Sequence, residues 1–578
     1  MNEQPKPAAI DGVTGAATTT TVGALVTAFL EACGVETAFG VISIHNMPIL
    51  DAIAQQGRIR FVPARGEAGA LNMADACARV TGRLGVGVTS TGVAAGNAAG
   101  SLVEALTAGT PLLHLTGQIE TGFLDQGRGY IHEAPDQPGM LRAISKKFFR
   151  VSRPEEALDV LREAVRTAFT PPAGPVSVEI PIDVQAAAIA LPDTIAMPNV
   201  AAQAPDTAAL DTLADMLRNA KRPLFWLGGG ARGAAAEARK LAEMGIGIVT
   251  SVNGRGVVEE GHPMSLGAFN ASAPVAAFYQ SVDLMVAVGS RLRGNETLKN
   301  TLALPQPMAR IDADPAKDGM SYANELFVQG DAALALRGLI ARLGSGPAID
   351  SSFAGDLAGA RAAAVQDLRD GFGPYARIID DLRAAMPEDA PWVRDITVSN
   401  STWGNRYVDL SAPRQGVHPL GGGIGQGLAM AIGAALGAPE HKTVALVGDG
   451  GLALGLGELA TAVQEKADVA LVLMNDKGYG VIRNIQDAHY GGRRAYADLV
   501  TPDFGALAGS IGMAHERVSA PGDFAAAFAR ALAVDGPAIV EIDMDAVGPY
   551  AKRFAGPPVA EPSIADLPVS DPPVSYKA

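Results

Sequence analysis

Residues 444–480 read VALVGDGGLALGLGELATAVQEKADVALVLMNDKGYG, and no other run constrains the chain as tightly. Two apolar stretches, 443–447 and 469–474, have the length and composition of buried strands. The first ends in Gly448-Asp449-Gly450 and the second in Asn475-Asp476, with a helix expected between them from about Leu456. Such a unit belongs to an α/β parallel sheet, which binds ligands at the carboxyl ends of its strands. Neighbouring strands can set Asp449 and Asp476 on one side of a hard divalent cation, and Mg²⁺ suits an all-oxygen site completed by phosphate oxygens. The amides at the start of the helix offer a further phosphate site. Spacing alone also allows a plainer reading, an aspartate in a turn followed by an Asx turn.

The first part of the chain carries an echo of this unit. Residues 85–117, GVGVTSTGVAAGNAAGSLVEALTAGTPLLHLTG, are again strand, glycine-bearing turn, helix and strand. The interval from Gly92 to Gly117 equals that from Gly450 to Asn475. Any two units of this kind look alike, but only the later one carries carboxylates at its turns. Similar alternation, separated by Pro- and Ala-rich stretches, divides the chain into 18–190, 206–342 and 375–547, with an extended, proline-punctuated tail at 548–578. The fold class expected is α/β, three domains each with a parallel-sheet core.

Composition excludes several classes. Two cysteines in 578 residues rule out a disulfide framework and fit a reducing compartment. A net charge of −15 argues against a general nucleic-acid surface. The start, MNEQPKPAAIDG, shows no apolar core behind a basic flank, so the expected location is cytoplasmic. Residues 421–438, GGGIGQGLAMAIGAALGA, approach the length of a membrane span, but their leading glycines indicate a buried helix, and no membrane partner is expected.

With these motifs in view, the sequence resembles the thiamine-diphosphate enzyme superfamily, in particular the group of acetolactate synthase, pyruvate oxidase and benzoylformate decarboxylase. Gly448-Asp449-Gly450 through Asn475-Asp476 matches that family's cofactor motif, and the resemblance runs from about residue 18 to 545 in the order pyrimidine-binding, middle and diphosphate-binding domain. It implies thiamine diphosphate and Mg²⁺ as cofactors, with the metal held by Asp449, Asp476 and the Gly478 carbonyl. The cofactor would also meet Gly448, Gly450, Gly451, Tyr479 and Gly480. Asp476 departs from the commoner asparagine but keeps an oxygen ligand.

The segment RGEAGALNMADACARVTG implies that Glu67 activates the cofactor by hydrogen bonding its aminopyrimidine ring. An isolated glutamate there would otherwise read as a helix N-terminal charge. Ile424, flanked by Gly423 and Gly425, matches the apolar wedge that bends the cofactor, and a core isoleucine is the alternative. Thr91, Gly92 and Asn97 match the turn facing the partner subunit's cofactor, Gln118 a pocket glutamine, and Asn400 and Ser401 a segment contacting the diphosphate. The family architecture implies a homodimer or homotetramer with active sites between chains.

Two stretches leave the family pattern. FGVISIHNMPIL places Ile44 and His45 where relatives have a small turn, and TGFLDQGRGYIHEAPDQPGML brings Arg128 and His132. Either histidine suits proton transfer near neutral pH, or simply a hydrogen bond within its loop. In the middle domain, WLGGGARG followed by GSRLRGNE lacks the Phe and Asp pair usual in acetolactate synthases. That weighs against FAD, while the glycines with Arg255 and Arg291 leave FAD or ADP open. The activity expected is decarboxylation of a small 2-oxo acid, with or without ligation to a second carbonyl. A plain decarboxylase, a carbon–carbon lyase or hydrolase, a non-catalytic homologue and a Rossmann dehydrogenase are the alternatives. The last two are disfavoured by Glu67 with Asp449 and by the irregular glycine spacing.

Overall fold

The structure, a computed structural model, describes residues 19–344 and 346–556. Most of the tail expected at 548–578 therefore lies outside the described residues. Three parallel sheets organise the rest. The first is built from β2 (Thr37–Gly40), β3 (Arg60–Pro63), β4 (Gly85–Thr89), β5 (Leu112–Gln118), β6 (Lys147–Arg150) and β7 (Pro175–Pro181), in the order β3-β2-β4-β5-β7-β6. A short antiparallel pair, β1 (Thr19–Thr21) with β8 (Ala188–Ala190), ties its two ends. The first helix, Val22–Ala32, follows β1 directly.

The middle sheet contains β9 (Pro223–Leu227), β10 (Gly247–Thr250), β11 (Leu284–Val288), β12 (Met308–Asp312) and β13 (Leu326–Gln329), in the order β10-β9-β11-β12-β13. The third contains β14 (Trp392–Arg394), β15 (Gly416–Val417), β16 (Thr443–Gly448), β17 (Val469–Asn475), β18 (Ala514–Val518) and β19 (Ala538–Asp543), in the order β15-β14-β16-β17-β19-β18. Numbered within its own domain, this is the strand order of the first sheet. The echo between 85–117 and 444–480 is thus a shared topology, with β4 and β5 standing where β16 and β17 stand.

The first and third domains meet through helices Glu67–Thr81 and Gly427–Gly437, each entered from the second strand of its domain. The helices run parallel, Gly433 lying against Met73 and Gly437 against Cys77 and Val80. A Cβ at Gly433 would sit 2.1 Å from the Met73 carbonyl oxygen, so only glycine permits this approach. Burial on all sides explains the uninterrupted apolar run of 427–437, which is 11 residues long. Among the described residues no helix is long and apolar enough to cross a membrane.

Candidate active site

At the carboxyl end of β16, Gly448 stays extended and the chain turns directly into a helix, Asp449–Leu454, followed by Glu458–Gln464. The helix expected from about Leu456 is Glu458–Gln464, and a further short helix, Asp449–Leu454, precedes it directly at the strand end. The glycines that suggested a loop are required by crowding. A Cβ at Gly450 would lie 2.8 Å from the Tyr479 ring, one at Gly451 2.7 Å from Asp395 Oδ2, and one at Gly480 2.0 Å from Asp476 Oδ2.

Asp449 is fully buried. Its Oδ1 accepts the Asp476 backbone N–H at 3.2 Å and its Oδ2 accepts that of Gly478 at 2.9 Å. Register pairing of Gly448 with Met474 brings both strand ends together. Burial raises the Asp449 carboxyl pKa, and burial with the Asp449 charge beside it pushes Asp476 up to about 7. Two hard carboxylates crowded in this way, with a backbone carbonyl nearby, are a donor set that fits a divalent cation.

Asp449, Asp476, Gly448, Gly450, Gly451 and Gly478 to Gly480 line one wall of a cavity of 300 Å³, and Ile424 lines another. Ile424 is 39% exposed, which an ordinary core isoleucine would not be. Its loop is held by Asp395, both of whose oxygens accept the Gly425 N–H at 3.1 Å. Gly425 has φ +87°, and a Cβ there would meet Leu454 at 2.8 Å. Gly423 flanks the wedge without reaching the cavity wall.

Asn400 and Ser401 do not line this cavity; Ile396, Thr397, Val398 and Ser399 do. A turn of π-helix over Asn400–Gly404 swings Asn400 inward, where it is 2% exposed and its Nδ2 lies 3.3 Å from His418. Ser399 is fixed by the Tyr550 hydroxyl at 2.8 Å, and Tyr550 also accepts from Trp403.

In the first domain Glu67 is the first residue of its helix and accepts a hydrogen bond from Asn97 Nδ2 at 3.1 Å. No first-domain residue lines the 300 Å³ cavity of the same chain. Thr91 and Gly92 stand on a buried polar network that sequence reasoning did not find. Gln137 Oε1 accepts from Thr91 Oγ1 (2.9 Å) and Gly92 N (2.6 Å), and Gln118 Oε1 accepts from Thr91 Oγ1 (2.7 Å) and Ile119 N (2.8 Å). Both amides donate to Glu179, whose other oxygen pairs with Arg150. Gln118 is only 4% exposed; it supports the Thr91-Gly92 turn and borders a small cavity with Asp125, Glu133 and Arg150.

His45 and His132 come together from separate loops. Their Nδ1 atoms are 3.4 Å apart and their rings meet edge-on, with centroids 5.2 Å apart. His45 is buried and its pKa is lowered, first by burial and then by the charge of His132. Gly92 has φ +60°, and a Cβ there would lie 2.1 Å from the His132 carbonyl oxygen, so turn and loop are packed against each other. Arg128 points to the surface in the same loop.

The middle domain opens a cavity of 370 Å³ beside Gly228–Gly230, Arg232, Arg291 and Asp312, against the first domain's Thr107 to Pro111. Arg255 takes no part: it is buried and paired with Glu260 at 2.6 Å. Arg291 donates to the Thr107 carbonyl at 3.1 Å.

Three parts of the chain match one family. Residues 20–140 match the N-terminal TPP binding domain of thiamine pyrophosphate enzymes, residues 210–339 the central domain and residues 397–542 the C-terminal TPP binding domain. The chain is 32% identical over 474 residues to the probable 2-ketoarginine decarboxylase AruI of Pseudomonas aeruginosa, covering 81% of this chain and 84% of that protein. It is 29% identical to the acetolactate synthase isozyme 1 large subunit of Escherichia coli (90% and 93% covered) and 28% identical to the acetolactate synthase large subunit of Corynebacterium glutamicum (93% and 90%). A sheet-end site of this geometry and these matches define the class, an enzyme acting on carbon–carbon bonds with thiamine diphosphate. The chain belongs to the thiamine pyrophosphate enzyme family, in its acetolactate synthase-like group.

Proposed function

We propose that the protein decarboxylates a small 2-oxo acid and releases the product by protonation, using thiamine diphosphate held through Mg²⁺. The observation that carries this reading is the buried Asp449–Asp476 pair at adjacent strand ends, beside a cavity into which Ile424 projects. When bound, the cofactor supplies the electron sink that carbon–carbon cleavage next to a carbonyl requires. Asp449, Asp476 and the Gly478 carbonyl hold the metal, and the glycines at 448, 450, 451 and 480 leave room for the diphosphate. Ile424 orients the ring system by contact, with Gly423 and Gly425 allowing the loop its turn. Glu67, braced by Asn97 at 3.1 Å, would hold or move a proton at its carboxylate, hydrogen bonding the aminopyrimidine of a bound cofactor.

The absence of first-domain residues from the cavity wall supports a site completed between two chains, hence a homodimer or a homotetramer. His45 and His132 then supply the proton that terminates the reaction, and Thr91, Gly92 and Gln118 shape the floor on which they rest. The decarboxylase relative supports this outcome, and its name points to a 2-oxo acid with a long polar side chain. Ligation to a second carbonyl is the second reading, favoured by the acetolactate synthases among the relatives. FAD or ADP stays open in either reading: Arg255 is spent on Glu260, whereas Arg291 lines the 370 Å³ middle-domain cavity. The −15 charge argues against a nucleic-acid partner.

The test is calorimetric titration of the chelator-treated protein with thiamine diphosphate in Mg²⁺, followed by product analysis on a panel of 2-oxo acids. Absence of binding overturns the reading; a ligated product in place of an aldehyde selects the second one.

A further inference from the structure

We infer that Glu104 and Glu458 are reciprocal positioning residues, each reaching across the domain boundary to hold the loop that presents the other domain's cofactor-facing group. The inference rests on the roles proposed for Glu67 and Ile424. Glu458, on the helix after β16, is 5% exposed and accepts the backbone N–H of Arg65 (3.1 Å) and of Gly66 (3.1 Å) at Oε1. Those amides immediately precede Glu67. Thr461 Oγ1 fixes the other oxygen of Glu458 at 2.7 Å.

Glu104, on the helix after β4, is 2% exposed and accepts the N–H of Leu420 (2.7 Å) and of Gly421 (2.6 Å), at the start of the loop that carries Ile424. Arg79 orients it at 2.8 Å and donates in turn to the His418 carbonyl at 2.7 Å. The two contacts are equivalent under the shared topology: each glutamate lies on the helix after the third strand of its domain and grips the loop after the second strand of the other.

Neither arrangement is incidental packing. A buried carboxylate is costly unless its oxygens are satisfied, and each of these is satisfied chiefly by backbone amides of the opposite domain. The room for them is made by glycine. A Cβ at Gly69 would lie 2.2 Å from Glu458 Oε1, and one at Gly421 2.8 Å from Glu104 Oε2. A charge-assisted bond to a backbone amide fixes the height and direction of the loop rather than any side chain, which is what a proton-exchanging carboxylate and a steric wedge both need.

The two glutamates are therefore expected to divide the labour. Glu458→Gln slows exchange of the cofactor's acidic C2 proton, followed by NMR in the cofactor-loaded protein, by about tenfold, the factor one weakened charge-assisted bond is worth. Its affinity for thiamine diphosphate stays within about twofold. Glu104→Gln does the reverse, weakening affinity by about tenfold while exchange at saturation is retained. In the cofactor-free chain, amide exchange accelerates at 65–67 in the first variant and at 420–424 in the second. Gly69→Ala, which crowds Glu458 without removing it, reproduces the first pattern and serves if the Gln variant does not fold. Equal effects of both glutamines on affinity and on C2 exchange, or unchanged amide exchange in both loops, overturn the inference. A wild-type chain that binds no thiamine diphosphate overturns the cofactor reading instead, because the amide exchange tests the two contacts by themselves.

Discussion

Asp449 holds Asp476 through the backbone: the Asp476 N–H donates to Asp449 Oδ1 at 3.2 Å, while the two carboxylates face each other across the ends of β16 and β17. The contact keeps like charges close, an arrangement that a cation relieves. Mg²⁺ with thiamine diphosphate should therefore stabilise the protein, by about 2.7 kcal/mol at a hundredfold excess over Kd. Asp449→Asn should lose this ligand-dependent rise in Tm while folding normally. Thermal melts with and without chelator measure both, and an undiminished rise in the variant would remove Asp449 from the metal site.

Glu67→Gln should leave cofactor affinity nearly intact and slow C2 proton exchange about a hundredfold or more, the range general acid–base catalysis supplies. Asn97→Ala should act in the same direction more weakly, since Asn97 braces Glu67 at 3.1 Å. NMR exchange rates in the loaded protein decide the matter; an unchanged rate in the Gln variant rejects the assignment.

Glu179→Ala should destabilise the chain by about 3 kcal/mol, because it leaves Arg150 only its Asp125 partner and removes the acceptor for both buried amides, Gln118 and Gln137. Replacement with Gln should cost less, since an amide oxygen still accepts. Urea denaturation measures the difference. A loss below about 1 kcal/mol for the Ala variant would show that the network contributes little.

Acid should destabilise the protein through buried neutral histidines. His114 lies between Thr89 Oγ1 (2.9 Å) and Ser177 Oγ (3.0 Å), and burial pushes its pKa down to about 3. His418 is also well below its usual range, through burial and the adjacent Arg394. For a histidine whose folded pKa is depressed, the unfolded chain binds the extra proton. The stabilisation is complete above about pH 6.5 and is lost as pH falls toward the folded value, by about 1.4 kcal/mol per unit per group. Denaturation at pH 7 and pH 5 should show His114→Asn with a shallower dependence than wild type. Equal slopes would mean that His114 carries a proton in the folded chain.

The parts of the site that were legible in the sequence are those whose chemistry is local. Gly448-Asp449-Gly450 and Asn475-Asp476 mark strand ends by themselves, and Glu67 marks the start of its helix. The glycines of 448–457 misled in one respect. They suggested a loop up to the helix at Glu458, whereas a short helix already starts at Asp449 and its glycines are demanded by Tyr479 and Asp395, which lie far away in sequence. Asn400 lies off the cavity wall, in a π-turn that leaves no periodic trace in the sequence. Gln137, Glu179, Glu104 and Glu458 were invisible for a third reason. Each looks like an ordinary polar residue of its helix or strand, and its partners belong to other elements that only the folded chain brings near.

The parallel helix pair joined at Gly433 has a consequence for dissecting the protein. An isolated third domain would lay bare the Gly433–Gly437 seam that packs on Met73, Cys77 and Val80, on a helix without a single charge along 427–437. Such a fragment should associate with itself in preference to staying monomeric. The halves of the chain share one topology, yet neither can be expressed as a well-behaved stand-in for the whole.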